Sequence, residues 1–245
     1  RPNPIGGVEV QGPVLPEPTS GPASLKNIVN HHALPVRHGM TMGELAQLFA
    51  ADDHIDVPLE VVKLVGWRRQ DTFTSAGLAW TPPSPNLRSL KSVALYPAVG
   101  LLESTNVSVG RGTDMPFEVV AAPWLDAERV VRRLSSMPEV SGVSFGVTEV
   151  TPKSSVHAGK TCKGVKLTIT SATRFEPIRT ALAIARVLHE VHPTEWSFDS
   201  MDNMLRWTPA MDGIRTGKDV ADIEATWATA LTGFKAHRQP FLLYR

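Results

Sequence analysis

Cysteine is nearly absent from this chain, and so is any marked excess of one charge. Cys162 is the single cysteine among 245 residues, which excludes an internal disulfide and a cysteine-based zinc cluster. A formal net charge of +1 gives no electrostatic reason to expect nucleic acid or an anionic membrane as a partner. No apolar run reaches the roughly 18 residues that a membrane-spanning helix requires. The remaining composition, 42% apolar and 20% charged, is that of an ordinary globular protein.

Several familiar catalytic motifs are also missing. The sequence has no G-x-x-x-x-G-K-[ST] loop, no G-x-G-x-x-G after a strand, no H-E-x-x-H and no G-x-S-x-G. His31 and His32 are neighbours, and adjacent side chains point apart on a helix or a strand. An exposed loop is therefore favoured over a metal-ligand pair. We predict neither a cofactor nor a bound metal.

The N-terminal segment is rich in residues that interrupt regular structure. Residues 1–24 include six prolines and four glycines, which predicts an extended and irregular course. The opening RPNPIGG is typical of a loop that leaves a buried strand, and it contains neither an initiator Met nor a charged-then-apolar leader. We expect a fragment or a processed form that pairs with a preceding N-terminal segment.

A helix followed by a strand is predicted next. Thr41 and Glu44 form a T-x-x-E capping box, and Met40 with Leu45 supplies a hydrophobic staple for a helix that continues through Phe49. The β-branched, apolar stretch 60–65 predicts a strand close behind this helix. Helix and strand at this spacing are typical of the end of an α/β layer.

Proline marks a boundary in the middle of the chain. Three prolines in residues 81–86 remove backbone donors, and we place a domain boundary near residue 91. The pattern beyond it predicts an α+β domain with no internal repeat. Its expected elements are a strand over 92–102, a helix capped by Asp126, strands over 143–150 and 165–170, a helix opened by a second capping box at Thr173 and Glu176, a last helix from Val220 to Phe234, and a closing strand over 241–244.

The densest run of polar residues is the loop 103–113. Glu103, Asn106, Arg111 and Thr113 offer a carboxylate, an amide, a guanidinium and a hydroxyl. This set suits the hydroxyls, N-acetyl group and lactyl carboxylate of a sugar. Two glycines flank Arg111 and allow the backbone to bend sharply near a ligand. The alternative is that Glu103 and Arg111 form an ion pair that only fixes a long loop.

Two other places carry candidate binding residues. Arg37 and His38 stand just before the capped helix, whose N-terminus favours anions, although a lone histidine is more often structural. Ser84 and Asn86 lie in the proline-rich tract, which forms either a rigid wall of a cleft or only a linker.

A series of distinctive segments occurs in order along the chain. They are RPNPIGG (1–7), QGPVLPE (11–17), PVRHGMTMGELA (35–46), GWRR (66–69), WTPPSPN (80–86), YPAVGLLESTNVSVGRGT (96–113), PFEVVAAPW (116–124), HAGKTCKGVKLTIT (157–170) and FLLY (241–244). This series looks like the NamZ-type exo-β-N-acetylmuramidases, and the resemblance covers essentially the whole chain. The sequence departs from the family pattern at Val109, where Glu is frequent, and at residues 151–156, which are TPKSSV rather than T-P-T-F-S-K.

The resemblance implies a fold and an activity. Residues 1–91 would be the C-terminal end of a Rossmann-fold-like, α/β catalytic domain, and residues 92–245 a barrel-like α+β auxiliary domain that binds substrate. The whole protein would be an exported bacterial glycoside hydrolase that releases terminal N-acetylmuramic acid from peptidoglycan-derived glycans. Because the family's upstream acidic motif has no counterpart here, we expect the 245 residues alone to be inactive.

From the motifs and their chemistry we assign roles to individual residues. Glu103 is the candidate catalytic carboxylate, and its partner is expected upstream. The candidate substrate-binding residues are Arg37, His38, Asn106, Arg111, Thr113, Ser84 and Asn86. Two rival functions stay open: a non-catalytic cell-wall glycan-binding module, and a cytoplasmic Rossmann-type enzyme with another substrate.

Overall fold

The chain forms two compact units in a computed structural model. The structure describes residues 9–14, 32–75, 77 and 79–244. The first unit contains residues 1–79 and 227–245, and the second contains residues 80–226. His31 and most of residues 1–31 lie outside the described residues, as do the expectations that fall on them.

Helices and short strands alternate irregularly along the described residues, which confirms a mixed α/β chain. Among the residues that the structure describes, the 3₁₀ segments Gly100–Leu102, Phe198–Met201 and Gln239–Phe241 add single turns. In chain order the other elements are β1 (Gln11–Val14), β2 (Pro35–Arg37), α1 (Met42–Asp52), α2 (Leu90–Val99), β3 (Val119–Ala122), α3 (Ala127–Ser135), β4 (Val143–Val150), β5 (Cys162–Ile169), α4 (Pro177–Val191), α5 (Asp202–Leu205), α6 (Thr208–Arg215), α7 (Val220–Ala225) and α8 (Ala228–His237).

The first unit has a small core beside a two-stranded sheet. Strands β1 and β2 pair in antiparallel fashion, and α8 packs on β1. The predicted capping box of α1 is confirmed: Thr41 N–H donates to Glu44 Oε2 over 2.7 Å, and Glu44 N–H donates to Thr41 Oγ1 over 3.4 Å. Met40 and Leu45, the predicted staple, are both buried in this core. Its other buried members are Val10, Val14, Leu48 and Phe234.

The strand predicted over residues 60–65 is wrong. These residues form no regular element, and the side chains of Val62 and Val65 are 89% and 100% exposed. A β-branched sequence becomes a strand only when a neighbouring strand satisfies its backbone groups. Among the described residues no strand pairs with this segment.

The strand predicted over residues 241–244 is also wrong, because other groups use its backbone. Leu243 N–H donates to Glu44 Oε1 over 2.7 Å, and Arg69 Nε donates to the carbonyl oxygen of Tyr244 over 3.2 Å. Arg69 also forms an ion pair with Glu44, whose side chain is fully buried. The end of the chain therefore binds a buried ion pair instead of joining a sheet.

A three-stranded antiparallel sheet organises the second unit. Its order is β3-β5-β4, so β5 pairs with both neighbours, and Val120 opposes Val165 while Val147 opposes the same residue from the other side. The predicted strands over 143–150 and 165–170 are thus confirmed, the latter beginning at Cys162. Strands β3 and β4 do not pair with each other, so this sheet is open within the part of the chain that the structure describes.

Residues 92–102 form a helix, so the strand predicted there is wrong. Ser89 caps α2 by accepting a hydrogen bond from Ser92 N–H over 3.1 Å. Leu95, Ala98, Val99 and Leu102 are all fully buried, and their spacing of three or four residues is that of a helix face. Pro97 lies inside this helix.

Helix starts in the rest of this unit were predicted with mixed success. Asp126 caps α3 as expected, because its Oδ1 accepts from Arg129 N–H over 3.0 Å. The second capping box is wrong: α4 begins at Pro177 without a side-chain cap, and the Thr173 hydroxyl instead bonds to Ser171. The single helix predicted from Val220 to Phe234 is wrong, because two helices, α7 and α8, are found there and are separated near Trp227.

Within the described residues, no helix is long and apolar enough to cross a bilayer. The same residues contain no cluster of three or more His, Cys, Asp or Glu side chains suited to a metal ion.

Candidate functional site

The loop 103–113 is held against the edge of the sheet in the second unit. Ser108 and Ala121 exchange two backbone hydrogen bonds, of 2.7 and 2.9 Å, so the loop adds a bridge to the free side of β3. Phe117 N–H donates to the carbonyl oxygen of Val109 over 2.7 Å. Val109 is 4% exposed, so an apolar residue suits this position.

Two glycines shape the end of this loop. Gly110 and Gly112 have φ values of +81° and +77°, which other residues adopt only at a cost. The carbonyl oxygen of Gly112 accepts from Lys153 N–H over 2.9 Å. The predicted sharp bend is confirmed, and it brings the loop next to the turn that follows β4.

Glu103 and Arg111 form an ion pair at the two ends of the loop. Their side chains are 25% and 36% exposed, so solvent reaches both in part. The Arg111 guanidinium also lies over the Phe117 ring, 5.3 Å from its centroid, in the range of a cation–π contact. Arg111 Nε is buried and has no hydrogen-bond partner among the described residues.

The environment of Glu103 favours its neutral form. Partial burial raises the pKa of the Glu103 carboxyl, while the positive charge of Arg111 acts in the opposite direction. A carboxyl whose pKa is raised keeps its proton closer to neutral pH and is better suited to donate it to a leaving group.

Asn106 and Thr113 form hydrogen bonds within the protein. The Asn106 amide donates to the carbonyl oxygen of Glu195 over 2.7 Å and accepts from Ser197 N–H over 2.8 Å. The Thr113 hydroxyl donates to the Gly110 carbonyl oxygen over 2.7 Å and accepts from Met115 N–H over 3.0 Å. Both side chains fix the shape of the loop, and their predicted contact with substrate stays a prediction.

Arg37 and His38 lie in the first unit. Arg37 Nη1 donates to Gln11 Oε1 over 3.0 Å, and its Nε is buried without a partner among the described residues. The His38 ring is buried, and its Nδ1 accepts from Met40 N–H over 3.1 Å. The substrate-binding role predicted for both residues stays a prediction.

The proline-rich tract closes on itself. Ser84 Oγ accepts from Asn86 N–H at 3.5 Å, which is a long contact, and the Trp80 indole donates to the carbonyl oxygen of Leu87 over 3.3 Å.

Of the two neighbouring histidines, the structure describes His32. Its ring stacks on that of Phe49, with ring centroids 3.8 Å apart.

A cleft of about 510 Å³, hereafter the polar cleft, opens beside the loop. Thr113 is the predicted site residue that lines it. The sequence analysis missed the other charged groups, although Asp114 directly follows the G-R-G-T motif and Glu149 is the last residue but one of a predicted strand. The lining residues are Arg88, Gly112, Thr113, Asp114, Met115, Glu149, Val150, Thr151 and Lys153.

These features define a mixed α/β protein in which one loop pairs a partly buried carboxyl with a guanidinium, and a polar cleft lies beside the end of that loop. The chain belongs to the exo-β-N-acetylmuramidase NamZ family. The family's N-terminal model matches residues 1–91, and its C-terminal model matches residues 94–244.

Individual relatives agree with this assignment. The chain is 36% identical to the peptidoglycan β-N-acetylmuramidase NamZ of Bacillus subtilis over 247 residues, which is 100% of this chain and 58% of that protein. Two crystal structures of DUF1343 family proteins from Bacteroides fragilis are similar at TM-scores of 0.79 and 0.75, with 25% and 27% identity. The chain is covered completely in both cases and spans 65% of each of those chains.

Proposed function

We propose that the protein containing this chain is an exo-acting β-N-acetylmuramidase that releases terminal N-acetylmuramic acid from peptidoglycan-derived glycans. The observation that carries the proposal is the pair of Glu103 and Arg111, set in a loop of a chain 36% identical to a peptidoglycan β-N-acetylmuramidase. Peptidoglycan lies outside the cytoplasmic membrane, so we further propose an exported bacterial protein.

The division of labour between domains is part of the proposal. Residues 1–91 would complete a Rossmann-fold-like catalytic domain together with an upstream segment, and residues 92–245 would form the auxiliary substrate-binding domain. The exposed apolar side chains of Val62 and Val65 support this arrangement, because large exposed apolar surface is typical of an interaction site.

Glycoside hydrolysis requires a proton donor for the leaving oxygen and a second group facing the anomeric carbon. Glu103 suits the first role, because burial keeps its carboxyl neutral to higher pH. Arg111 suits the lactyl carboxylate of N-acetylmuramic acid, since a guanidinium binds carboxylates through paired N–H donors. The second carboxyl group is expected in the upstream segment.

The proposal is tested with a chromogenic β-N-acetylmuramide. We expect turnover by the intact protein and no appreciable turnover by the 245-residue chain alone. In the intact protein, Glu103→Gln is expected to lower kcat by about 100-fold or more, as for loss of a general acid or base. If Glu103 only binds substrate, the loss falls on KM instead.

Glu149→Gln is the matched comparison, because Glu149 lines the polar cleft without contacting Arg111 in a described ion pair. A large kcat loss in this variant would place the second carboxyl group within residues 1–245. Robust turnover by the 245-residue chain would overturn the proposed division of labour. Binding without any turnover by the intact protein would favour a glycan-binding module instead.

A further inference from the structure

A second cleft, of about 420 Å³, lies in the second unit after α4, and we call it the aromatic cleft. Its volume falls within the roughly 300–1,000 Å³ typical of small-ligand sites. The residues that matter below are His189, Trp196, Phe198, Asp199 and Arg215. None of them belongs to the loop 103–113 or to the polar cleft.

Three aromatic rings cluster in this cleft. The Phe198 ring centroid lies 4.7 Å from that of His189 and 5.4 Å from that of Trp196. Such clusters are usually explained by packing alone. Here, however, His189 Nδ1 and Trp196 Nε1 are both buried and have no hydrogen-bond partner among the described residues.

An unpaired buried indole N–H destabilises the folded state, because the hydrogen bond that it loses to water is not replaced. Trp196 is 4% exposed, so bulk water does not easily satisfy it. By contrast, the indole N–H of Trp207 donates to Thr226 Oγ1 over 2.9 Å. Two buried nitrogens beside one cleft therefore have no hydrogen-bond partner among the described residues. This indicates a ligand whose polar group forms the hydrogen bonds that these nitrogens lack.

The charges of the cleft favour a neutral ligand. Arg215 already binds two carboxylates, Asp199 at 2.9 Å and Asp212 at 2.7 Å. Its guanidinium also lies over Phe198, 5.3 Å from the ring centroid. One cation against two anions leaves no free positive charge for an acidic group, and a carboxylate ligand would be repelled.

The aromatic cleft is also fastened to the candidate site. Ser104 Oγ donates to the carbonyl oxygen of Ser200 over 2.6 Å, and the Asn106 amide binds Glu195 and Ser197. The turn 195–200, which lines the cleft, is thus held by residues on either side of Thr105, next to Glu103. A glycan unit bound in the aromatic cleft would lie on a segment tied to the loop of Glu103.

We propose that the aromatic cleft binds one neutral N-acetylated hexose unit of a glycan, apart from the acidic N-acetylmuramic acid that Arg111 would hold. The apolar face of the sugar ring would contact the aromatic side chains, and the N-acetyl carbonyl would accept the Trp196 indole N–H. This inference rests on the proposed glycan substrate of the protein.

The test uses N,N′-diacetylchitobiose, a neutral N-acetylated disaccharide, and the purified 245-residue chain. In ¹H–¹⁵N spectra the indole signal of Trp196, assigned with Trp196→Phe, is expected to shift on titration, whereas that of Trp207 is not. Trp196→Phe should raise the Kd for N,N′-diacetylchitobiose, measured by calorimetry, about fivefold, as expected for the loss of one hydrogen bond. Trp207→Phe should leave the affinity within twofold.

His189→Gln provides a second variant if Trp196→Phe does not fold, and it too should weaken binding severalfold. N-acetylmuramic acid should not shift the Trp196 signal. No shift with chitobiose, or equal weakening by Trp196→Phe and Trp207→Phe, would overturn the inference. If chitobiose binds as expected but the intact protein lacks muramidase activity, the proposed function fails and the saccharide site stands.

Discussion

The side-chain amide of Asn106 donates to the carbonyl oxygen of Glu195, 2.7 Å away across 89 residues of sequence. The same amide accepts from Ser197 N–H. One side chain therefore joins the loop of the candidate catalytic carboxyl to a turn that follows α4.

Replacing this amide should weaken the second unit. Asn106→Asp removes the N–H donor and places a carboxylate against the Glu195 carbonyl oxygen. We expect the free energy of unfolding, measured by urea titration, to fall by about 1–3 kcal/mol. Asn203→Asp makes the same change at an exposed position of α5 and should cost less than about 0.5 kcal/mol. Equal losses in both variants would contradict this role for Asn106.

Removing the charge of Arg111 should change the pH dependence of activity. The Arg111 cation lowers the pKa of Glu103, against the effect of burial. In Arg111→Gln burial acts unopposed, so the pKa rises. We expect the limb of the kcat/KM profile that Glu103 controls to move to higher pH in the intact protein. Arg132→Gln, which alters an exposed cation on α3, should leave the profile in place. A downward shift in Arg111→Gln would refute this assignment.

The buried pair of Glu44 and Arg69 should make the first unit sensitive to acid. Burial opposes ionisation of Glu44, but the N–H groups of Thr41 and Leu243 and the Arg69 guanidinium hold its pKa below the ordinary value. A lowered pKa stabilises the folded state above the unfolded pKa, near 4.5, and this stability is lost as pH falls through the folded pKa.

Glu44→Gln should therefore cost about 3 kcal/mol at neutral pH, and the difference from the parent chain should shrink below pH 4.5. Thermal melts across this range measure both effects. Glu60→Gln removes an exposed carboxylate in the same unit and should change little. A difference that stays constant with pH would show that Glu44 is not stabilised as an anion.

Substitution of two glycines should distinguish the cost of backbone strain from the cost of a steric clash. Gly110 and Gly217 have φ values of +81° and +70°. A Cβ on Gly110 would lie 2.1 Å from the Met115 carbonyl oxygen, whereas one on Gly217 would meet nothing within 4 Å. Gly217→Ala should cost about 1 kcal/mol of unfolding free energy and Gly110→Ala about 3 kcal/mol. If urea titration shows similar losses of unfolding free energy for the two variants, the loop around Gly110 can shift to accommodate the added methyl group at little cost.

Some features that depend on near neighbours in sequence were predicted correctly, although the capping box of Thr173 and Glu176 was not. The capping box of Thr41 and Glu44, the cap at Asp126 and the strand β4 each follow from residues a few positions apart. The stretch 92–102 was predicted wrongly because a short apolar run suits a strand or a helix equally, and the stretch 60–65 forms neither. Packing decided both outcomes: residues 60–65 lie largely exposed, with no strand paired to them among the described residues, and residues 92–102 are buried along one helix face.

The site was predictable in its residue types and not in its contacts. The loop 103–113 stood out because it gathers polar groups between glycines. That Asn106 binds the turn at Glu195, or that Glu149 lines a cleft with Thr113, depends on how distant segments return to one sheet. No local sequence pattern shows which distant segments will contact each other. The aromatic cleft could not be predicted for the same reason, because Arg215 joins it from a separate part of the sequence.

The binding of Leu243 and Tyr244 by Glu44 and Arg69 has a consequence for biosynthesis. Domains generally fold as units, in the order in which the ribosome delivers them. Residues 80–226 have all emerged before the last residues of the first unit are made. The nascent chain must therefore hold Glu44 without the Leu243 N–H, and Arg69 without the Tyr244 carbonyl oxygen, until residues 80–226 have been made.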